Sequence, residues 1–217
     1  MFIGHFAAGF AAQRWAPGQR LAVLLLAPTL LDVLWPVFCL LGLEDFHIER
    51  GNTAYTPMAF DHYPWSHSLL MSVIWGVVFA LVVRRATGDV RGAVIGGVLV
   101  VSHWILDFVT HRPDLPLWPG GPKVGLGLWN SVPGTLGVEG AIYVAGVAIY
   151  LHATRARDRT GSVALWSLLI LLALIFAANS TGAPPPAKMA VTIAAFLGTA
   201  LTLAWAHWIG RHREVVA

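Results

Sequence analysis

The chain has 217 residues, of which 57% are hydrophobic and 12% are charged. A soluble domain of that length carries about 25% charge, so the composition argues against an ordinary soluble enzyme and excludes disorder. The length fits a single integral-membrane domain over 1–217. The one cysteine, Cys39, lies in an apolar run. It reads as core and provides neither an internal disulfide nor a thiolate cluster.

The first apolar segment, Phe2–Trp15, is too short to cross a bilayer. It lacks a basic leading region, so it reads as a retained helix that lies at the surface or dips into the bundle. His5 sits within it, beside Gly4, Ala8, Gly9 and Ala12. Taken alone, His5 reads as a headgroup residue; the small residues favour close packing with His5 turned inward.

The next run, Arg20–Leu43, is long enough to span. Asp32 lies in its middle, between Pro28 and Pro36. Each proline loosens the helix and frees a carbonyl. Irregular backbone at depth is tolerated where it lines a polar cavity, and a buried carboxylate needs a partner or a metal. The long loop Glu44–Trp65 then leads to a second span, Ser66–Val83, through D-H-Y-P-W-S-H-S. Ser66 is placed to cap that helix. His67 is at its mouth, within reach of an ion held by the next span, and His62 lies just before it.

The third span, Gly92–His111, carries S-H-W-I-L-D-F-V-T-H. His103, Asp107 and His111 recur every fourth residue and share one helical stripe. A histidine and a carboxylate at that spacing can grip one divalent ion, and at membrane depth both are costly unless they do something. A helix–helix hydrogen bond is the competing reading, and His111 also suits the headgroup layer. Gly92 and Gly96 continue the stripe and admit a close neighbour. Measured from the expected outer ends at His111 and Leu43, Asp107 is about 6 Å deep, His103 about 12 Å and Asp32 about 16 Å. These residues and His67 therefore share one half of the bilayer.

After the loop Arg112–Asn130 come Ser131–His152, Val163–Asn179 and Ala187–Ile209. Glu139 lies at a depth comparable to His103 and could serve as ligand, general base or partner to a histidine. The last two spans carry little polarity and read as support. The fold class is therefore all-α: a polytopic transmembrane bundle of about six spans plus a short N-terminal helix. Ten of the 14 basic residues fall on one side of that topology, including Arg84, Arg85, Arg91, Arg155, Arg157, Arg159, Arg211 and Arg213. That side is expected to be cytoplasmic and to hold the C-terminus. Nothing suggests nucleic-acid binding, because the basic residues are spread as topology signals.

In combination these elements resemble the YdjM-type family of membrane-bound metal-dependent hydrolases of bacterial inner membranes. That family has a histidine in a short N-terminal apolar helix, an aspartate motif in the next run, an H-R-G-x-T-H-S element and an S-H-x-x-x-D-x-x-T element. The counterparts are His5, Asp32, H-Y-P-W-S-H-S with His62 and His67, and S-H-W-I-L-D-F-V-T with His103 and Asp107. The resemblance covers about residues 1–111. It departs in two places: the family's P-D-x-D is P-T-L-L-D here, and R-G is Y-P.

The resemblance implies His5 as a ligand and a metal hydrolase of the bacterial inner membrane. With His5, Asp32, His67, His103 and Asp107 as ligands, the nitrogen and oxygen mixture suits zinc, and also manganese or iron, as one or two ions. Such a metal acidifies water and polarises a phosphoryl or acyl oxygen. His62, His111 and Glu139 are the candidates for general acid or base. Arg112 and Lys123 are placed to meet an anionic head group. An outward-facing site within the bilayer implies a lipid or lipid-linked phosphate or ester. The competing readings are an ion or metal transporter, a non-catalytic protein stapled by a metal, and, more weakly, a haem protein. Against transport, no paired halves or repeated broken helices are visible.

Overall fold

The computed structural model describes residues 1–216. Six helices are long and apolar enough to cross a membrane: Leu21–Leu40, Leu69–Thr87, Val90–Thr110, Val132–Ala153, Arg159–Asn179 and Lys188–His212. They match the six expected spans to within a few residues at most ends. Their outward faces carry exposed valines and leucines such as Val77, Val98, Leu174 and Leu197, as lipid-facing helices require.

Helix α1, Ile3–Ala12, is the short N-terminal element. It dips into the bundle, and nearly every residue, His5 included, is buried. The first span is broken into α2 (Leu21–Leu26), a 3-10 turn at Ala27–Thr29, and α3 (Leu30–Leu40). Pro28 sits in that turn, where it denies the backbone one donor. The following loop folds into an antiparallel hairpin, β1 (Asp45–Ile48) on β2 (Met58–His62), which the apolar pattern did not reveal.

Helix α4, Pro64–His67, is separate from α5, Leu69–Thr87. This corrects the expectation that Ser66 caps the second span. Ser68 is the cap, accepting a hydrogen bond from the Met71 amide at 3.3 Å, because the chain turns to an extended conformation there. Helix α6 spans Val90–Thr110 and α7 spans Val132–Ala153, and their caps are Asp89 and Ser131. Two minimal strands, β3 (Leu115–Pro116) and β4 (Lys123–Val124), pair in the loop between them. At the other end β5 (Thr154–Ala156) leads into α8 (Arg159–Asn179). Helix α9 (Lys188–His212) then ends in β6 (Arg213–Val215), which pairs with β5.

Glycine sets how closely α6 approaches α5. A Cβ on Gly97 would lie 2.8 Å from the Gly76 carbonyl oxygen, and one on Gly76 equally close to that of Gly97. Gly96 faces the Phe79 ring. On the opposite side, α1 is pressed against α7, where a Cβ on Gly146 would meet the Ala7 carbonyl at 2.4 Å. Backbone cannot yield as a side chain can, so Gly146→Val should push α1 outward and cost about 1–3 kcal/mol. Gly140, on the same helix, has nothing within 4 Å of its Cβ position. Thermal unfolding in detergent should show Gly146→Val well below wild type and Gly140→Val close to it; equal losses would refute the close α1–α7 contact.

Candidate metal centre

Four elements converge near one end of the bundle. Helix α1 supplies His5, α3 supplies Asp32, α4 supplies His67, and α6 supplies His103 and Asp107. All five expected ligands meet. The Asp107 carboxylate is the hub: Oδ1 is 3.1 Å from His5 Nε2, and Oδ2 is 3.0 Å from His103 Nε2. His67 Nε2 stands 3.2 Å from His103 Nε2 and 3.9 Å from Asp107 Oδ2. Asp32 Oδ1 is 3.6 Å from His67 Nε2 and 3.8 Å from His103 Nε2. The α-amino group of Met1 also contacts Asp107. His5 stacks flat on His103, with centroids 3.8 Å apart.

Proton bookkeeping fixes what these rings present. His103 Nδ1 is 2.7 Å from the Pro28 carbonyl, which can only accept, so that nitrogen carries the proton. The broken first span thus orients the His103 ring. Ser66 Oγ donates to Glu44 Oε2 at 2.6 Å, so its lone pair accepts from His67 Nδ1 at 2.7 Å. His67 Nδ1 is then protonated as well. In the neutral form of each ring the Nε2 atom carries the lone pair, and the two Nε2 atoms face each other across 3.2 Å. Two neutral imidazoles in that arrangement repel unless a cation lies between or beside them. The buried His5 Nδ1 has no hydrogen-bond partner among the described residues.

His111 joins the same space from the end of α6. Asp114 Oδ1 accepts from its Nδ1 at 2.9 Å and from the Tyr63 hydroxyl at 3.1 Å. Burial, then the charge of Asp114, hold the Tyr63 phenol well above its usual pKa, so it stays a donor. His111 Nε2 is thereby turned to Asp107 Oδ2, 3.8 Å away. Three imidazoles are each held by the far nitrogen and present the near one to Asp107, the arrangement in which outer partners orient metal-ligating histidines.

The remaining expected residues lie elsewhere or do other work. His62 stands exposed at the end of β2. Among the described residues it makes no hydrogen bond or ion pair with the cluster, so its expected general acid–base role has no geometric basis. The reason is the hairpin, which carries His62 to the surface while α4 brings His67 in. Glu139 is buried and holds the start of α1: its Oε2 accepts from the amides of Phe2 at 2.8 Å and Gly4 at 3.5 Å. Arg112 pairs with Asp114 through Nε at 3.3 Å. Lys123 donates to the Asp61 carbonyl at 2.9 Å on the exposed side of the hairpin.

With that cluster in view, the comparison with known families is decisive, because the family described as YdjM inner membrane protein matches residues 1–184. The chain belongs to the YdjM inner membrane protein family. The match extends well past residues 1–111, so α7 and α8 are part of the YdjM architecture rather than an addition. No curated protein and no solved structure matches the chain.

Glu44, Tyr63 and Asp114 carry no role in a reading of the sequence alone, and Ser66 carries only that of a helix cap. Asp114 follows His111 at i+3 in H-R-P-D, a spacing that could have marked it. Glu44 has no such signal. Its partners lie more than twenty residues on, at Trp65 and Ser66, and only the folded loop brings them together.

Proposed function

We propose that this YdjM member is a metal-dependent hydrolase whose cluster acts on a lipid or lipid-linked phosphate or ester. The observation that carries the reading is the close approach of His67 Nε2 and His103 Nε2, each with its Nδ1 engaged elsewhere and both beside Asp107. Ligand atoms at 2.0–2.2 Å from an ion stand about 3–4 Å apart, the range of the separations given above. His5, His103 and Asp107 offer one set of atoms within 4.8 Å of one another, and Asp32, His67 and His103 offer a second. His103 is common to both sets, and its one free nitrogen can serve only one ion, so the two sets read as parts of a single site. Zinc suits the donors best.

When bound, such an ion would supply acidified water and a polarised phosphoryl or acyl oxygen. The chain's own groups supply position and proton traffic. Asp114 fixes the His111 tautomer, so Nε2 is free to take a proton beside Asp107. His103 and Asp107 are closed off, while the Asp32 side chain is 46% accessible. Substrate and water therefore approach past Asp32. Behind the cluster, Ala93, Leu99 and Val100 of α6 pack in an apolar layer, which favours a one-sided site over a conducting path.

The test is elemental analysis of detergent-purified protein, prepared without chelator, beside His103→Ala. Stoichiometric transition metal in wild type, absent from the variant, is the expected result. It would be followed by hydrolysis assays on phospholipid and lipid-pyrophosphate substrates. Metal-free wild type would reduce the cluster to a protonated hydrogen-bond network and sink the hydrolase reading.

A further inference from the structure

At the opposite end of the bundle lies a cavity of about 810 Å³. Its walls come from the α1–α2 loop and the ends of α7 and α9, with β6 closing it. That volume lies within the range of ordinary ligand sites, about 300–1,000 Å³. Four arginines line it, Arg20, Arg157, Arg211 and Arg213, against one carboxylate, Glu214. Glu214 is engaged with Arg157 at 3.6 Å. Arg20 and Arg211 have no ion-pair partner among the described residues.

Arg213 gives the cavity a built wall. It is only 8% exposed. Its guanidinium donates to the Thr154 hydroxyl at 2.9 Å and the Thr154 carbonyl at 3.2 Å, and it lies over the Tyr150 ring at 5.5 Å. Every one of these partners is neutral. Among the described residues no carboxylate lies within ion-pair distance, and a buried cation without a counter-charge is costly. An anion in the cavity would supply it.

We infer that this cavity binds the phosphate diester of an anionic phospholipid head group. Guanidinium groups match phosphate oxygens by their planar fork. A lipid source fits the position. Trp15 and Trp208, both well exposed, are at the same end of the bundle and suit the interfacial layer where indoles settle. Leu197 and Leu201 are exposed on α9, as a lipid-facing helix requires. Basic pockets between spanning helices recognise acidic head groups in this way. The site is separate from the His/Asp cluster and stands whether or not that cluster proves catalytic.

Native mass spectrometry of the delipidated full chain, titrated with phosphatidylglycerol and phosphatidylcholine, tests it. Wild type should retain phosphatidylglycerol selectively. Arg20→Gln/Arg211→Gln should weaken that binding about thirtyfold, from about fivefold per interfacial cation. Arg84→Gln/Arg85→Gln removes two charges at the same membrane face but outside the cavity and should leave it unchanged. Equal binding of both lipids, or equal loss in both variants, would overturn the assignment. Displacement of phosphatidylglycerol by millimolar inorganic phosphate would overturn it too, by giving the cavity to a soluble anion.

Discussion

Asp107→Asn should both strip the metal and destabilise the bundle, whereas Asp32→Asn should strip the metal alone. Asparagine keeps the shape of the side chain and removes its charge. At position 107 that charge is buried and faces His5, His103 and the Met1 amine at once. Removing one partner from a buried charged set costs about 3–5 kcal/mol. For a chain of this length that is on the order of 10 °C in unfolding midpoint. Asp32 is half-accessible, and its nearest histidine nitrogen is 3.6 Å away. Its loss should change stability by less than about 1 kcal/mol, while one oxygen ligand disappears. Thermal unfolding and elemental analysis of the two variants, purified side by side, give the comparison. Similar midpoints would refute Asp107 as hub. Full metal in Asp32→Asn would remove Asp32 from the ligand set.

The clustered histidines and aspartates were legible in the sequence because lipid makes them conspicuous. An ionisable residue in a 20-residue apolar run has few structural excuses, and the fourth-residue spacing of His103 and Asp107 places both on one face whatever the helix packs against. His67 was found for a local reason as well, being at a helix mouth beside the same membrane surface. What stayed hidden depends on distant pairing. Nothing near Glu44 announces that α4 will fold back on it, and nothing in D-H-Y-P-W-S-H shows that His62 turns away from the cluster. That outcome is set by β2, whose pairing with β1 turns His62 outward. The same limit applies to Pro28. Its residue type signals a broken helix, but only the packing of α6 against the turn shows that its own carbonyl sets the His103 tautomer.

Glu44 makes the sharpest case, because its two nearest replacements should fail differently. Its Oε1 accepts from the amides of Trp65 at 2.7 Å and Ser66 at 2.8 Å, so it caps α4. Its Oε2 accepts the Ser66 hydroxyl proton, which obliges Ser66 to accept from His67 Nδ1. Glu44→Ala loses both functions. It should cost about 0.5–2 kcal/mol as a lost cap and about 10–100-fold in metal affinity as a lost orienting partner. Glu44→Gln can still cap α4 with its amide oxygen. Its NH2 group then faces Ser66 and donates, which drives the Ser66 proton toward His67 Nδ1. His67 must move its own proton to Nε2, and the lone pair offered to the cluster is lost. Glutamine should therefore recover most of the stability and little of the metal binding. Chelator competition measures the affinity, and nitrogen NMR of labelled His67 reports the tautomer directly. Wild-type metal affinity in Glu44→Gln, with the proton still on Nδ1, would show that the carboxylate only caps a helix and that the relay through Ser66 does not govern the site.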